Sequence, residues 1–133
     1  MSVDIKSLRI GSHVMWNGKR RKVDAITEEG IAFRIADTER KMYDSATIES
    51  VEPIAITPEL LKELGFEFRK SAGGSWCISD KKGGYFYATV CSDSTCIVTH
   101  YPDFGFQSRV VCTYLHELEA FAYLISQTEL ISD

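Results

Sequence analysis

Two prolines, Pro53 and Pro58, bracket a short apolar stretch in the middle of the chain, and the residue patterns on its two sides differ. Pro53 cannot donate to a β-ladder, so a strand arriving there must be at an edge or an end. Pro58 follows Thr57 and precedes Glu59-Leu60-Leu61, which is a helix start: a hydroxyl to cap free amides, proline at the first helical position, an acid near the positive helix end. Residues 51–58 thus end one module and open another. Only Ala55 and Ile56 separate the last strand residue from the cap, so the two parts are expected to be rigidly joined.

Residues 1–55 read as a small β-module. The Asn17-Gly18 pair between two β-like runs is a strong hairpin signal. Alternation places Ile31, Phe33 and Ile35 on one face of a third run, and residues 40–43 and 51–54 supply two more. Five short strands joined by tight turns predict a closed barrel. The strand order and turn placement resemble those of the SH3-like small barrels, a fold that hosts unrelated functions.

Residues 56–133 read as a helix–antiparallel meander–helix unit, which makes the chain α+β overall. Leu60, Leu61 and Leu64 form the buried stripe of the first helix, and Gly65 stops it. β-like runs follow, at 66–69, 75–79, 85–91 and 96–101, joined by links too short for parallel crossovers. An even-numbered loop at Asp93-Ser94 would pair Cys91 with Cys96 and Tyr87 with His100. One face then collects Phe86, Ala88, Val90 and Ile97. The other collects Tyr85, Tyr87, Cys96, Val98 and His100 and is expected to be partly open, making Tyr85, Tyr87 and His100 candidate binding residues. The closing stretch, 114–130, is helical in period, with Val111, Tyr114, Leu118, Phe121, Ala122 and Ile125 on one side and His116 opposite, at the surface.

Charge narrows the function classes. Residues 1–55 hold nine basic and nine acidic side chains and residues 56–133 hold six and ten, giving the net −4. An acidic balance argues against general nucleic-acid binding. One local exception is Lys19-Arg20-Arg21-Lys22 beside His13 and Trp16. Trp16, Lys19, Arg21 and nearby Lys41 could stack a base and hold a phosphate, although four charges also suit an edge strand guarded against aggregation. The N-terminus lacks a secretory pattern and no apolar run reaches membrane-helix length, so a cytoplasmic protein with reduced cysteines and no membrane partner is expected.

Enzymatic signatures are weak. Cys91-x4-Cys96 and Cys112-x3-His116 have zinc-ligand types without the tight spacing of zinc sites. Cys96 and His100 share a strand face but stand too far apart for a nucleophile–base pair. Gly73-Gly74 and Gly83-Gly84 are hairpin turns, not phosphate loops. Neither a metal, a cofactor nor a catalytic residue is assigned. The expected role is a non-enzymatic accessory or protein-interaction protein, its partner a protein or a second copy. The alternative is a nucleic-acid-binding small barrel.

Three stretches carry a wider resemblance: Leu8-x-Ile10-Gly11, Ile56-Thr57-Pro58-Glu59-Leu60-Leu61-x-x-x-Gly65-Phe66, and Tyr114-Leu115-His116-Glu117-Leu118-Glu119-x-Phe121-x-x-Leu124. With the Trp- and Tyr-rich meander they resemble small uncharacterised proteins of Bacteroides-type gut bacteria and their prophages. The resemblance implies a bacterial or phage cytoplasmic setting and no activity, cofactor or partner.

Overall fold

A computed structural model describes residue 3 and residues 8–27, 30–34, 43–70 and 73–131. The chain divides into two compact units, Met1–Ile54 with Leu115–Ala120, and Ala55–Tyr114 with Phe121–Asp133.

In the first unit four antiparallel strands form an open sheet in the order β1 (His13–Trp16), β2 (Lys19–Thr27), β3 (Gly30–Arg34), β4 (Tyr43–Ala46). Asn17 and Gly18 both have positive φ, 50° and 74°. This tight turn matches the strand twist and sets Trp16 opposite Lys19. Period-2 alternation sends Val14, Val23, Ile31 and Phe33 inward to join Val51 in the core, each of the five at most 2% exposed. Ile35 and the run at 40–42 lie outside the described residues.

The expected SH3-like barrel is corrected by this sheet. β1 and β4 are its edges, and among the described residues no ladder joins them. The fifth run makes a single bridge, Met15 with Glu52, held by two backbone hydrogen bonds of 2.9 Å. Pro53 follows at once, and its missing N–H stops a ladder from growing there.

In the second unit, α1 (Pro58–Glu63) is built as its residues dictate. Thr57 Oγ1 accepts from Leu60 N–H at 3.1 Å. At the other end Gly65, at φ 99°, lets Phe66 N–H reach the Leu61 carbonyl and its own N–H reach Lys62, closing both orphan carbonyls. A five-stranded open antiparallel sheet follows: β5 (Glu67–Arg69), β6 (Ser75–Ser79), β7 (Tyr85–Val90), β8 (Cys96–Tyr101) and β9 (Ser108–Cys112), each paired with the next.

This replaces the expected helix–meander–helix unit. Residues 108–112, of which only Val111 was expected in an element, the closing helix, form a fifth strand instead. The β-branched pair Val110-Val111 satisfies its backbone against β8. The helix α2 (Leu115–Ser126) starts later than its period implied, and it is shared out, with Leu115–Ala120 in the first unit and the remainder in the second. Its buried positions are Leu115, His116, Leu118, Ala122 and Ser126, whereas Val111 and Ile125 of the expected stripe are 60% and 36% exposed. Counting Val111 into a helix rotated the stripe. Among the described residues, no helix is long and apolar enough to cross a membrane.

Candidate functional site

The open face of the five-stranded sheet carries a cluster of polar and aromatic side chains. Its geometry follows from one turn. Cys91 N–H bonds the Thr95 carbonyl at 2.8 Å, closing a loop of three residues, Ser92–Asp93–Ser94. Ser94 takes the left-handed conformation at φ 70°, and Asp93 Oδ1 accepts from both Thr95 N–H (3.1 Å) and Thr95 Oγ1 (2.5 Å). Those bonds hold the Asp93 carboxyl below the ordinary carboxylate range. Three-residue loops of this kind pair a turn with one left-handed residue.

An odd loop moves the pairing by one residue from the even-loop expectation. Val90 lies opposite Cys96, Tyr87 opposite Thr99, Phe86 opposite His100 and Tyr85 opposite Tyr101. A one-residue slip exchanges the two faces of a strand. Cys96, Val98 and His100 therefore go to the buried side with Phe86 and Ala88, while Ile97, Thr99 and Tyr101 come to the open side with Tyr85, Tyr87 and Thr89.

On that open side lies a cavity of about 720 Å³, lined by Ser75, Tyr85, Tyr87, Thr89, Ile97, Thr99, Tyr101 and Arg109. The volume is in the range of ligand and anchor-residue pockets. Tyr87 and Tyr101 meet edge to face at 5.3 Å, and Tyr85 lies 6.5 Å from Tyr87. Ser75 and Thr89 hydroxyls are 2.7 Å apart, and Arg109 Nε donates to Thr99 Oγ1 at 3.3 Å. A hydrogen bond with Cys77 raises the Tyr87 phenol above its usual value, so it stays neutral and able to donate. Arg109 is the charged member of the lining. Beyond Tyr101, the loop to β9 holds Phe104 and Phe106 at 98% and 96% exposure.

The candidates from sequence separate accordingly. Tyr85 and Tyr87 line the cavity. His100 does not: it is 4% exposed on the opposite face, its ring 4.6 Å from that of Phe86. His100 Nε2 lies 2.6 Å from Asp80 Oδ2, while Asp80 Oδ1 accepts from Lys82 and Gly84 N–H. Burial alone would raise the Asp80 carboxyl; the bond from His100 and the two backbone donors outweigh it and hold it low. The carboxylate therefore accepts, and His100 Nε2 carries the proton. Gly84 makes this turn possible, since a Cβ there would fall 2.5 Å from the Tyr101 carbonyl and 2.8 Å from Asp80 Oδ2.

In the first unit Trp16 packs on the core with its ring 5.5 Å from Phe33, and the Arg21 guanidinium sits over it at 5.6 Å. Lys19 is exposed beside the Asn17–Gly18 turn. Lys41 lies outside the described residues. His13 is turned to another use: its N–H donates to Glu119 Oε1 at 2.8 Å and its Nδ1 lies 2.6 Å from Glu119 Oε2. His116, expected at the surface, is 2% exposed; burial lowers its pKa against the opposing charges of Glu117 and Glu119. No group of three or more His, Cys, Asp or Glu side chains among the described residues is arranged to hold a metal ion.

Sequence reasoning missed Ile97, Thr99, Tyr101 and Arg109. The local signal was Asp93, whose side chain can hydrogen-bond the backbone two residues ahead; it marks a turn without fixing the loop's parity. No family model, curated protein or solved structure matches the chain.

Proposed function

We propose that this chain is a non-enzymatic protein-interaction module and that its working surface is the tyrosine-lined face of the five-stranded sheet together with the 102–107 loop. The observation that carries this reading is the pair Phe104 and Phe106, almost wholly exposed three and five residues after Tyr101 of the cavity wall. Large apolar groups held in water mark a surface that a partner covers. Tyrosine, phenylalanine and arginine are also the residues that interfaces favour at their centres.

The partner is a protein segment that brings apolar side chains for the phenylalanines and the cavity, and an acidic group for Arg109. A second copy fits less well, because residues 56–133 hold ten acidic and six basic side chains and like copies repel. The nucleic-acid alternative rests on Trp16, Lys19, Arg21 and Lys41, of which Lys19 is exposed. It is weakened by Trp16, whose ring is engaged by Phe33 and Arg21 rather than offered to a base. A bacterial or phage setting is consistent with this reading and is not required by it.

A photo-crosslinking residue placed in turn at Phe104, Tyr101 and Lys19 tests the assignment in cells. Adducts to one protein from positions 104 and 101, and none from 19, support it. Adducts only to the chain itself would mean self-association, and none from either 104 or 101 would end the proposal.

A further inference from the structure

Strand β8 begins at Cys96 and β9 ends at Cys112, and the register sets these two residues directly opposite each other. Neither cysteine is in a disulfide, and both are buried, at 0% and 2%. Their backbone relation follows from the turn. Cys91 and Thr95 form a hydrogen-bonded pair with β7's side of the hairpin, and in antiparallel sheets such pairs alternate with non-bonded ones. Cys96 is one position further on, so its amide and carbonyl point away from β7 and toward β9. Cys96 and Cys112 are therefore a hydrogen-bonded pair, with Cα atoms about 5.5 Å apart. That separation lies within the roughly 4.4–6.8 Å that disulfides span.

The fit is not relaxed. Cβ atoms of such a pair stand near the wide end of about 4.5–5.5 Å, while disulfides favour roughly 3.5–4.5 Å. A bond closed here carries strain, and strained disulfides are readily reduced again, as labile or regulatory ones are.

We propose that Cys96 and Cys112 are a reversible oxidation site at which a hydroperoxide closes a cross-strand disulfide. The Cys96 thiolate attacks the peroxide oxygen, the O–O bond breaks, and sulfenic acid and hydroxide form; the hydroxide takes up a proton. The Cys112 thiol then displaces water from the sulfenic sulfur. Two sulfurs lose two electrons to the peroxide, an S–S bond replaces two S–H bonds, and two waters leave when the oxidant is hydrogen peroxide. A hydrogen bond from Cys112 draws the Cys96 thiol below its ordinary pKa, against burial, which pushes it up. Both thiols are buried, so the peroxide reaches them when this end of the two strands opens locally. Cys91 is more exposed but has no cysteine opposite it, and Cys77 lies opposite Tyr87. The bond would staple edge strand β9, which carries Arg109 of the cavity, to its neighbour. The inference does not depend on the proposed partner surface.

The test treats the intact protein with hydrogen peroxide, alkylates remaining thiols after denaturation, and maps peptides without reduction. A Cys91→Ser variant is run in parallel, because tryptic cleavage leaves Cys91 and Cys96 on one peptide. The expected result is a linked peptide pair joining Cys112 to the 83–109 peptide in both proteins, lost on adding dithiothreitol. Loss of the link in Cys91→Ser would assign it to Cys91 and overturn the proposal. So would Cys96 and Cys112 that remain alkylated, or Cys96 found as sulfinic acid with no linked pair.

Discussion

The two sheets treat their aromatic side chains in opposite ways. In the four-stranded sheet Phe33 is fully buried and Trp16 packs against it beneath Arg21. In the five-stranded sheet Phe86 alone is fully buried among the aromatics, while Tyr85 and Tyr101 are 47% and 39% exposed around a cavity. Both units also bury a histidine against a carboxylate at 2.6 Å. His100 meets Asp80, 20 residues away, whereas His13 meets Glu119, 106 residues away. The lesson is that aromatic content says little about binding until the face is known. A ring turned inward contributes stability, and a ring turned outward leaves its contact energy for a partner.

The sharpest test of that contrast compares two truncations. Phe33→Ala removes a fully buried ring and should cost about 3–5 kcal/mol. Tyr85→Ala, on the half-exposed face, should cost under about 1 kcal/mol while weakening partner crosslinking. Urea denaturation of both variants decides it, and equal losses would erase the distinction between the sheets.

Removing a buried acceptor leaves its donors unpaired, which costs about 1–3 kcal/mol. Asp80→Ala should reach that range, because Asp80 also closes two backbone donors of its turn. A loss under about 1 kcal/mol, read from the same denaturation curves, would show that the turn holds without its carboxylate.

Acid should separate the units by pH. Burial depresses the His116 pKa in the first unit, so the unfolded chain takes up a proton, near about pH 6.5, before the folded one does. That contribution is full above this value and is lost as pH falls through the depressed folded value. Asp80 in the second unit is also depressed, but its contribution is full above about pH 4 and is lost only below. With Trp76→Phe and Trp16→Phe variants reporting each unit by fluorescence, the Trp16 midpoint should fall between pH 7 and 5 while the Trp76 midpoint holds. A common midpoint at every pH would show that the units unfold together, and His116→Gln should remove the early slope.

The smallest expected effect concerns the turn that fixes the cavity. Ser94 is held at φ 70°, where glycine rests without strain. Ser94→Gly should be stabilising or neutral, by up to about 1 kcal/mol in thermal unfolding. Clear destabilisation would mean that the Ser94 side chain, not the loop's parity, sets the register.

Much of the local structure was legible. The Asn17–Gly18 turn, the Thr57–Pro58 helix start and the Gly65 stop all form as their residues dictate, because each is decided within a few neighbouring bonds. The failures share a cause. The barrel expectation needed a ladder between strands distant in sequence, and Pro53 allowed one bridge. The strand at Ser108–Cys112 depended on pairing with β8, which no local pattern reveals. Of the candidate site, Tyr85 and Tyr87 were found because both sit on one strand, where alternation suffices. His100 was misplaced and Tyr101 missed because their face depends on whether a loop holds an odd or even number of residues.

The residues by themselves determined caps, turns and the alternation within each strand, since these are short-range consequences of backbone dihedrals and missing or available hydrogen-bond donors. Only the tertiary structure decided which alternate set of β8 faces the cavity, that Arg109 joins it, and that Cys96 meets Cys112. Those are pairings between strands, and a displacement of one residue in a pairing reverses every side chain it governs.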